Sequence, residues 1–176
     1  MSTPPLRLFF AIPCCPQVAC DISNWRARHA IDGKPVAAEN LHLTLAFLGS
    51  QPRGELAALE ALAANLEPAA FTLHLDRLAR WKNGLLYLAP SKTPAALTEL
   101  ELGLREQLLA TGFSLESRPF KPHLTLARHC PRLPSAPPPT FDWPATEFTL
   151  FASENTAKGT RYRALAHWPL RPPTPA

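Results

Sequence analysis

The residues best suited to chemistry in this sequence form one tetrapeptide that occurs twice. His42-Leu43-Thr44-Leu45 and His123-Leu124-Thr125-Leu126 are identical and lie 81 positions apart. Side chains alternate between the two faces of an extended strand. Each copy therefore places a histidine and a threonine on one face and two leucines on the other, so the leucine face can be buried while the polar face stays open.

This pattern suits the cleavage of a phosphodiester. One imidazole can accept a proton while the other donates one, and two hydroxyls can hold the phosphate oxygens. If the two strands lie side by side, the four polar side chains converge on one groove. The alternative is that the histidines only satisfy hydrogen bonds and the threonines only favour a strand. Duplication of the whole tetrapeptide argues against that alternative.

The hydrophobic pattern predicts the elements that must position these strands. Apolar residues at helical spacing predict helices over 16–30, over 56–66 and from Pro94 to a stop at Gly112. Strands are predicted at residues 6–12, 41–48, 71–81, 85–88, 123–128, 146–153 and 160–168.

The remaining segments are predicted to be turns and loops. Residues 32–35 form a loop, and 82–84 form a hairpin turn with Asn-Gly at its tip. Residues 131–139 contain five prolines and are expected to form a surface loop. The proline-rich tail, 169–176, is expected to fray.

The order strand, helix, His/Thr strand occurs twice, approximately over residues 6–50 and 84–130. We therefore expect a single α+β domain over residues 1–176. Its two pseudo-symmetric lobes would each contain an antiparallel-rich sheet with helices packed outside. The active-site groove would lie between the lobes, where the two His/Thr strands meet.

The composition fits a globular protein. Of the 176 residues, 46% are hydrophobic and 18% are charged, which excludes a disordered chain. The formal net charge of +4 suits a polyanionic ligand but is also common in proteins that bind no nucleic acid. No apolar run approaches the ~20 residues of a membrane span, and no signal peptide is expected.

The four cysteines indicate a reducing compartment. Cys14 and Cys15 are adjacent, and together with Cys20 and Cys130 they form neither a disulfide framework nor a zinc pattern. We therefore expect reduced thiols and a cytoplasmic location.

The two motifs and their flanks resemble the 2H phosphoesterases, which are named for two His-x-Thr motifs. Within them the chain is similar to the RNA 2′,3′-cyclic phosphodiesterases, also called 2′-5′ RNA ligase-like proteins. The resemblance covers nearly the whole chain and includes the segments 7–12, 39–41, 47–49, 120–128, Ser153, Gly159, Tyr162 and 168–170. It departs at Ala37-Ala38, where such proteins often carry a proline, and this affects the approach loop and not the chemistry.

The resemblance implies metal-independent hydrolysis, without a cofactor, of 2′,3′-cyclic phosphate ends of RNA to a 2′-phosphate. His42 would be the proton donor and His123 the proton acceptor, although the residues themselves do not rank the two roles. Thr44 and Thr125 would donate to the nonbridging oxygens. Because one histidine must be neutral and the other charged, activity should be bell-shaped in pH around a histidine pKa of roughly 6.5.

Two further residues are predicted to bind substrate. Strict alternation from His123 puts Arg128 on the leucine face, so it reaches the phosphate only through a bulge or at the end of pairing. The resemblance favours phosphate binding. Phe9 can stack a nucleobase or pack in the core, and Trp81 and Tyr162 have the same two interpretations.

His129 and Cys130 are adjacent and could together be considered as metal ligands. Two ligands without a nearby carboxylate make a poor metal site, so we predict none.

The predicted partner is an RNA with a 2′,3′-cyclic phosphate end or a small cyclic nucleotide, bound by a monomer. Two alternatives remain: a 2′-5′ RNA ligase that joins tRNA halves, and a non-catalytic RNA-binding module. Because water is abundant, hydrolysis should dominate over joining. The intact histidines and threonines speak against the non-catalytic module.

Overall fold

In a computed structural model that describes residues 4–172, the chain folds into antiparallel-paired strands and three α-helices. The strands are β1 (Leu6–Pro13), β2 (Lys34–Pro35), β3 (His42–Gln51), β4 (Phe71–Arg80), β5 (Leu86–Pro90), β6 (Leu124–Arg128), β7 (Phe141–Ala145), β8 (Glu147–Thr156) and β9 (Gly159–Pro169). The helices are α1 (Pro16–Arg28), α2 (Leu56–Ala64) and α3 (Ala95–Ala110). The predicted α+β class is confirmed.

The sheet has two lobes that meet at the two His/Thr strands. Its strand order is β7-β4-β5-β6-β3-β1-β8-β9, with β2 paired to β6. We call β3, β1, β8 and β9 the first lobe and β6, β5, β4 and β7 the second lobe. Leu43 of β3 pairs with Leu124 of β6 at the centre. The predicted two-lobed arrangement is confirmed, whereas the single domain and its internal repeat stay predictions.

The core lies on the leucine face of the sheet. Leu43, Leu124 and Leu126 are fully buried and Leu45 nearly so, which is the alternation that the tetrapeptides predict. The buried stripe of α3 consists of Leu97, Leu100, Leu104 and Leu108, again at the predicted spacing. Full burial of each such side chain stabilises the fold by about 1.5–3 kcal/mol.

Two of the helices contact the lobe opposite to the strands that they connect. Helix α1 follows β1 of the first lobe but contacts β7 of the second, where the Trp25 and Phe141 rings are 6.3 Å apart. Helix α3 follows β5 of the second lobe and contacts β3 of the first. The two lobes are therefore joined by helix packing as well as by the sheet.

The sequence analysis errs at three places: two expectations are wrong in detail, and one strand is not predicted. The predicted loop 32–35 contains the short strand β2, which pairs with the end of β6. Strand β7 is missing from the strands that the sequence predicts, because Pro144 interrupts its pattern; β7 lies at the sheet edge, where proline is tolerated.

The third error concerns the tail. Leu170 is buried and its backbone N–H donates to Thr146 O at 2.8 Å, while the N–H of Arg171 donates to Pro68 O at 2.8 Å. This part of the tail does not fray, and residues 173–176 lie outside the described residues. Within residues 4–172 no helix is long and apolar enough to cross a membrane.

Candidate active site

The two motif histidines flank the central Leu43–Leu124 pair on the polar face of the sheet. Leu43 and Leu124 are the one residue pair that joins β3 to β6 among the described residues; the same antiparallel register continued by one residue each way would bring Thr125 opposite His42 and Thr44 opposite His123. All four side chains are half-buried. Directly opposed and diagonal neighbours on one face lie within contact range of long side chains, so the convergence expected from the duplicated tetrapeptide has a structural basis.

Both imidazoles are oriented by a backbone carbonyl two residues earlier in the chain. His42 Nδ1 is 2.7 Å from Asn40 O, and His123 Nδ1 is 2.7 Å from Lys121 O. A carbonyl oxygen only accepts, so Nδ1 must carry the proton and donate in each case. The nitrogen left for proton transfer is Nε2 in both rings. Sequence reasoning missed these contacts, because they depend on how the chain turns before each motif.

Aromatic rings hold each histidine, but differently. The centroids of the Phe9 and Tyr162 rings lie 5.1 Å from the His42 ring, and Tyr162 contacts it edge-on. His123 lies against Trp81 at 4.6 Å and Tyr87 at 5.6 Å. Trp81 and Tyr162 therefore belong to the walls of the site.

Phe9 is only 4% exposed, and its ring is also stacked on Phe151 at 5.3 Å. These contacts favour the packing interpretation, in which Phe9 supports the His42 ring. Its predicted role in stacking a nucleobase gains no support from so small an exposed surface.

The histidine pKa values are lowered on both sides of the central pair. Burial is the main cause for His42, and the charges of His123 and Arg128 add to it, so its pKa falls to about 4 despite the hydrogen bond to Asn40 O. Burial and the Arg128 charge also lower the pKa of His123. Both imidazoles are thus mainly neutral at pH 7 in the free protein, and the acid limb of kcat/KM should lie below the value of 6.5 expected from sequence.

The two threonines differ in their surroundings. Thr44 Oγ1 lies 3.0 Å from His42 Nε2, and with His42 neutral the hydroxyl donates to that nitrogen. Thr44 also lines both cavities of the groove. Thr125 lies opposite Tyr87 of β5 and is absent from the described lining of either cavity.

A bulge turns Arg128 towards the groove. Leu86 pairs with Ala127 and Tyr87 with Thr125, so Leu126 is an extra residue in β6. Leu126 and Ala127 are consecutively buried, and Arg128 is exposed and lines the groove. The sequence analysis requires a bulge, or the end of strand pairing, for Arg128 to reach the polar face, and β6 contains such a bulge.

The groove consists of two adjoining cavities that share Thr44 and Phe47. One cavity, of about 600 Å³, contains His42, and we call it the His42 arm. The other, of about 560 Å³, contains His123 and Trp81, and we call it the His123 arm.

The two arms differ in charge. The cations that line the His42 arm are Arg7, Lys34, Arg128 and Lys158. None of the described lining residues of this arm is a carboxylate. In the His123 arm, Arg105 is paired with Glu101 and Arg118 with Glu116, which leaves Lys121 as its excess charge. The sequence could not predict this difference, because the cations of the His42 arm come from four separate segments.

The suggested metal ligands have other surroundings. His129 is exposed, with a left-handed φ of 57°, and Cys130 is buried, its Sγ donating to Asp32 O at 2.8 Å. Among residues 4–172 no group of three or more potential ligands is placed to hold a metal ion. All four cysteines are free thiols.

Two paired His-x-Thr strands at the centre of a two-lobed antiparallel sheet define the architecture of a 2H phosphoesterase. The sequence profile of the 2′-5′ RNA ligase superfamily matches residues 15–155. The chain belongs to this superfamily, and the resemblance inferred from its motifs is confirmed.

Individual relatives agree with this assignment. The chain is 42% identical to the RNA 2′,3′-cyclic phosphodiesterase of Escherichia coli K12, over 94% of its own length and 97% of the relative's. It is 35% identical to the protein of the same name from Thermus thermophilus, over 94% and 91%. The crystal structure of Escherichia coli LigT complexed with 3′-AMP superposes with a TM-score of 0.86 at 40% identity, covering 94% of this chain and 98% of that one.

Proposed function

We propose that the protein is an RNA 2′,3′-cyclic phosphodiesterase that opens the cyclic phosphate to a 2′-phosphate by acid-base catalysis with two histidines. The observation that carries the proposal is the pairing of the two His-x-Thr strands, which puts both imidazoles on one face with their Nε2 atoms free of the backbone. The names and high identity of the relatives support it.

The reaction needs only groups that the chain itself supplies. The phosphate sits between the imidazoles with its nonbridging oxygens facing the Thr44 and Thr125 hydroxyls and the Arg128 guanidinium. One Nε2 takes a proton from water as the water oxygen bonds to phosphorus. The bond from phosphorus to the 3′ oxygen breaks, and the other Nε2 gives that oxygen a proton. Two such proton transfers each contribute about 10²–10⁴ in rate.

We assign His42 as the proton donor and His123 as the proton acceptor. The low pKa of His42 leaves its ring neutral at pH 7 in the free protein, so this assignment requires the bound phosphate to charge it. A phosphate anion next to the ring acts in this direction, because an opposite charge within about 4–6 Å favours the protonated form. The pKa direction alone would suit the exchanged assignment equally well.

The proposed substrate is an RNA end and not only a small cyclic nucleotide. A cyclic nucleotide carries one phosphate, whereas the His42 arm presents four cations without a lining carboxylate. Such an arm suits the backbone phosphates that precede an RNA end. The proposed setting is the cytoplasm, where the four free thiols stay reduced, and the proposed working unit is a monomer.

The His123 arm gives the alternative reaction some support. Its volume of about 560 Å³ offers room for a second RNA end, whose hydroxyl would replace water and yield a 2′-5′ linkage. We favour hydrolysis because water needs no binding site. A non-catalytic module is disfavoured, because it would need none of the four motif side chains.

One experiment tests the proposal. The purified protein is incubated with EDTA and an oligonucleotide ending in a 2′,3′-cyclic phosphate. The products are identified by mass, by their sensitivity to phosphatase and by chromatography against 2′-phosphate and 3′-phosphate standards. We expect a 2′-phosphate. Addition of a second RNA with a free 5′ hydroxyl tests for ligation. The proposal is wrong if neither the oligonucleotide nor a cyclic mononucleotide is turned over.

A further inference from the structure

Arg26 of α1 reaches the strand that carries the second motif. Its Nη1 donates to Leu126 O at 2.8 Å and to Val36 O at 2.7 Å, across a sequence separation of 100 residues in the first case. Its second Nη lies 3.4 Å from Ser23 Oγ. One guanidinium therefore ties α1, the segment after β2 and the middle of β6 together.

The carbonyl that Arg26 binds belongs to the bulge residue of β6. Leu126 is the extra residue that shifts the register with β5, and its carbonyl also accepts from Val36 N at 2.9 Å. The next residues of β6 pair with β2, Ala127 with Pro35 and Arg128 with Lys34. The orientation of Arg128 thus depends on where the Leu126 peptide is held.

We propose that Arg26 is a positioning residue for the active site: by holding the Leu126 and Val36 carbonyls it keeps the bulge formed and Arg128 turned towards the phosphate. This inference rests on the proposed function, in which Arg128 binds the phosphate. Arg26 itself does not line either arm of the groove.

A guanidinium is an unfavourable group to place here if packing were its only role. The side chain is half-buried, and burial lowers the pKa of Arg26. An apolar side chain of similar length would fill the space without that desolvation cost. A planar donor group that spans two carbonyls, one in β6 and one in the segment after β2, orients them, and an apolar side chain cannot.

Loss of the Arg26 hydrogen bonds would also affect the short strand β2, in addition to β6. Val36 follows Lys34 and Pro35, so release of its carbonyl frees the short strand β2, which pairs with Ala127 and Arg128. Arg26 therefore supports two of the four cations of the His42 arm, Arg128 directly along β6 and Lys34 through β2.

The test is a double-mutant cycle on hydrolysis of the cyclic-phosphate oligonucleotide. Arg26→Met should lower kcat/KM by about 10- to 100-fold, the loss that a small misplacement of a substrate-binding group produces. In an Arg128→Ala background the same Arg26→Met change should lower kcat/KM by only a few-fold, because Arg128 is absent and Lys34 is the one supported cation that remains. Arg26→Lys, which keeps a donor, should retain more activity than Arg26→Met.

Two controls separate the possible failures. Arg28→Met removes an exposed arginine from the same helix and should leave kcat/KM unchanged. Equal losses for Arg26→Met in both backgrounds would show that Arg26 acts independently of Arg128 and would overturn the inference. If Arg26→Met does not fold, the cycle is run with Arg26→Lys under the same criterion. Absence of turnover by the wild-type protein would instead reject the proposed function.

Discussion

The same tetrapeptide has two different surroundings in this molecule. His42 is enclosed by Phe9 and Tyr162, and its arm of the groove carries cations without carboxylates among the described lining residues. His123 rests on Trp81, and most charges of its arm are paired. The pKa of His42 is lowered to about 4, and that of His123 is lowered with fewer contributing charges.

This difference shows how one duplicated motif can serve two chemical roles. Identical side chains on a symmetric frame would titrate identically, and an acid-base pair needs one partner protonated and the other not. Two such groups in different environments can divide those roles. The pKa of His42 is the more strongly lowered, so its role as donor requires the bound phosphate to raise that pKa. The paired His/Thr strands make the groove symmetric, and the different side chains packed around His42 and His123 make the two histidine environments unequal.

The largest expected effect is loss of the histidines. His42→Ala and His123→Ala should each lower kcat by about 10²–10⁴, because each removes a proton-transfer group. A substrate with sulfur in place of the 3′ oxygen separates the roles, since a thiolate leaves without a donated proton. With it, His42→Ala should recover most activity and His123→Ala should not. His74→Ala is the control, as His74 is exposed on β4; recovery by His123→Ala alone would exchange the two roles.

Replacement of the threonines should reveal the next difference. Thr44→Val should lower kcat by about 10²–10³, the loss produced by one missing donor to a developing charge. Thr125→Val should lose less, because Thr44 lines both arms and contacts His42 Nε2 whereas Thr125 does not line them. Single-turnover rates measure both, with Thr72→Val, an exposed position on β4, as control. Equal losses would contradict this ranking and mean that the two hydroxyls stabilise the phosphate equally.

The low histidine pKa values predict how stability depends on pH. A histidine whose pKa is lower in the folded state binds more protons when unfolded, so stability falls as pH decreases from about 6.5 to about 4. His42→Gln should reduce the total loss of unfolding free energy over this pH range by on the order of 2 kcal/mol. His123→Gln should reduce that loss by a smaller amount. Urea unfolding between pH 4 and 7 measures it, and an unchanged slope for His42→Gln would contradict the burial of its charge.

The smallest effect expected concerns the charges of the two arms. Lys158→Met should raise KM for a cyclic-phosphate oligonucleotide a few-fold and reduce its logarithmic salt dependence by about 0.7, the value for one lost contact to single-stranded phosphate. KM for a cyclic mononucleotide should not change. Lys121→Met, in the His123 arm, is the matched variant. If it has the same effect on the oligonucleotide, the RNA backbone does not follow the His42 arm.

The sequence was sufficient for the features that depend on local periodicity. The alternation of His42 and Leu43 placed the imidazole on the open face, and the leucines of α3 defined its buried stripe. Two copies of one motif on strands of the same pattern also indicated that these strands lie together.

Features that depend on tertiary contacts could not be predicted in this way. The extra residue at Leu126 reverses the alternation, and only its partners on β5 and β2 show it. The Asn40 and Lys121 carbonyls that select the histidine tautomer have no side-chain signature. Leu170 was expected to fray because proline-rich tails usually do, whereas burial and hydrogen bonds outweigh that composition here.

The contacts of α1 and α3 with the opposite lobes have a consequence for dissection of the protein. Residues 71–145 form the second lobe as one continuous insertion, yet α1 covers β7 and donates to β6 from outside that insertion. An excised fragment of this kind would expose the apolar surface that α1 protects. Separately expressed fragments should therefore be unfolded alone and regain structure only when mixed, so the enzyme is suited to fragment complementation and unsuited to division into autonomous modules.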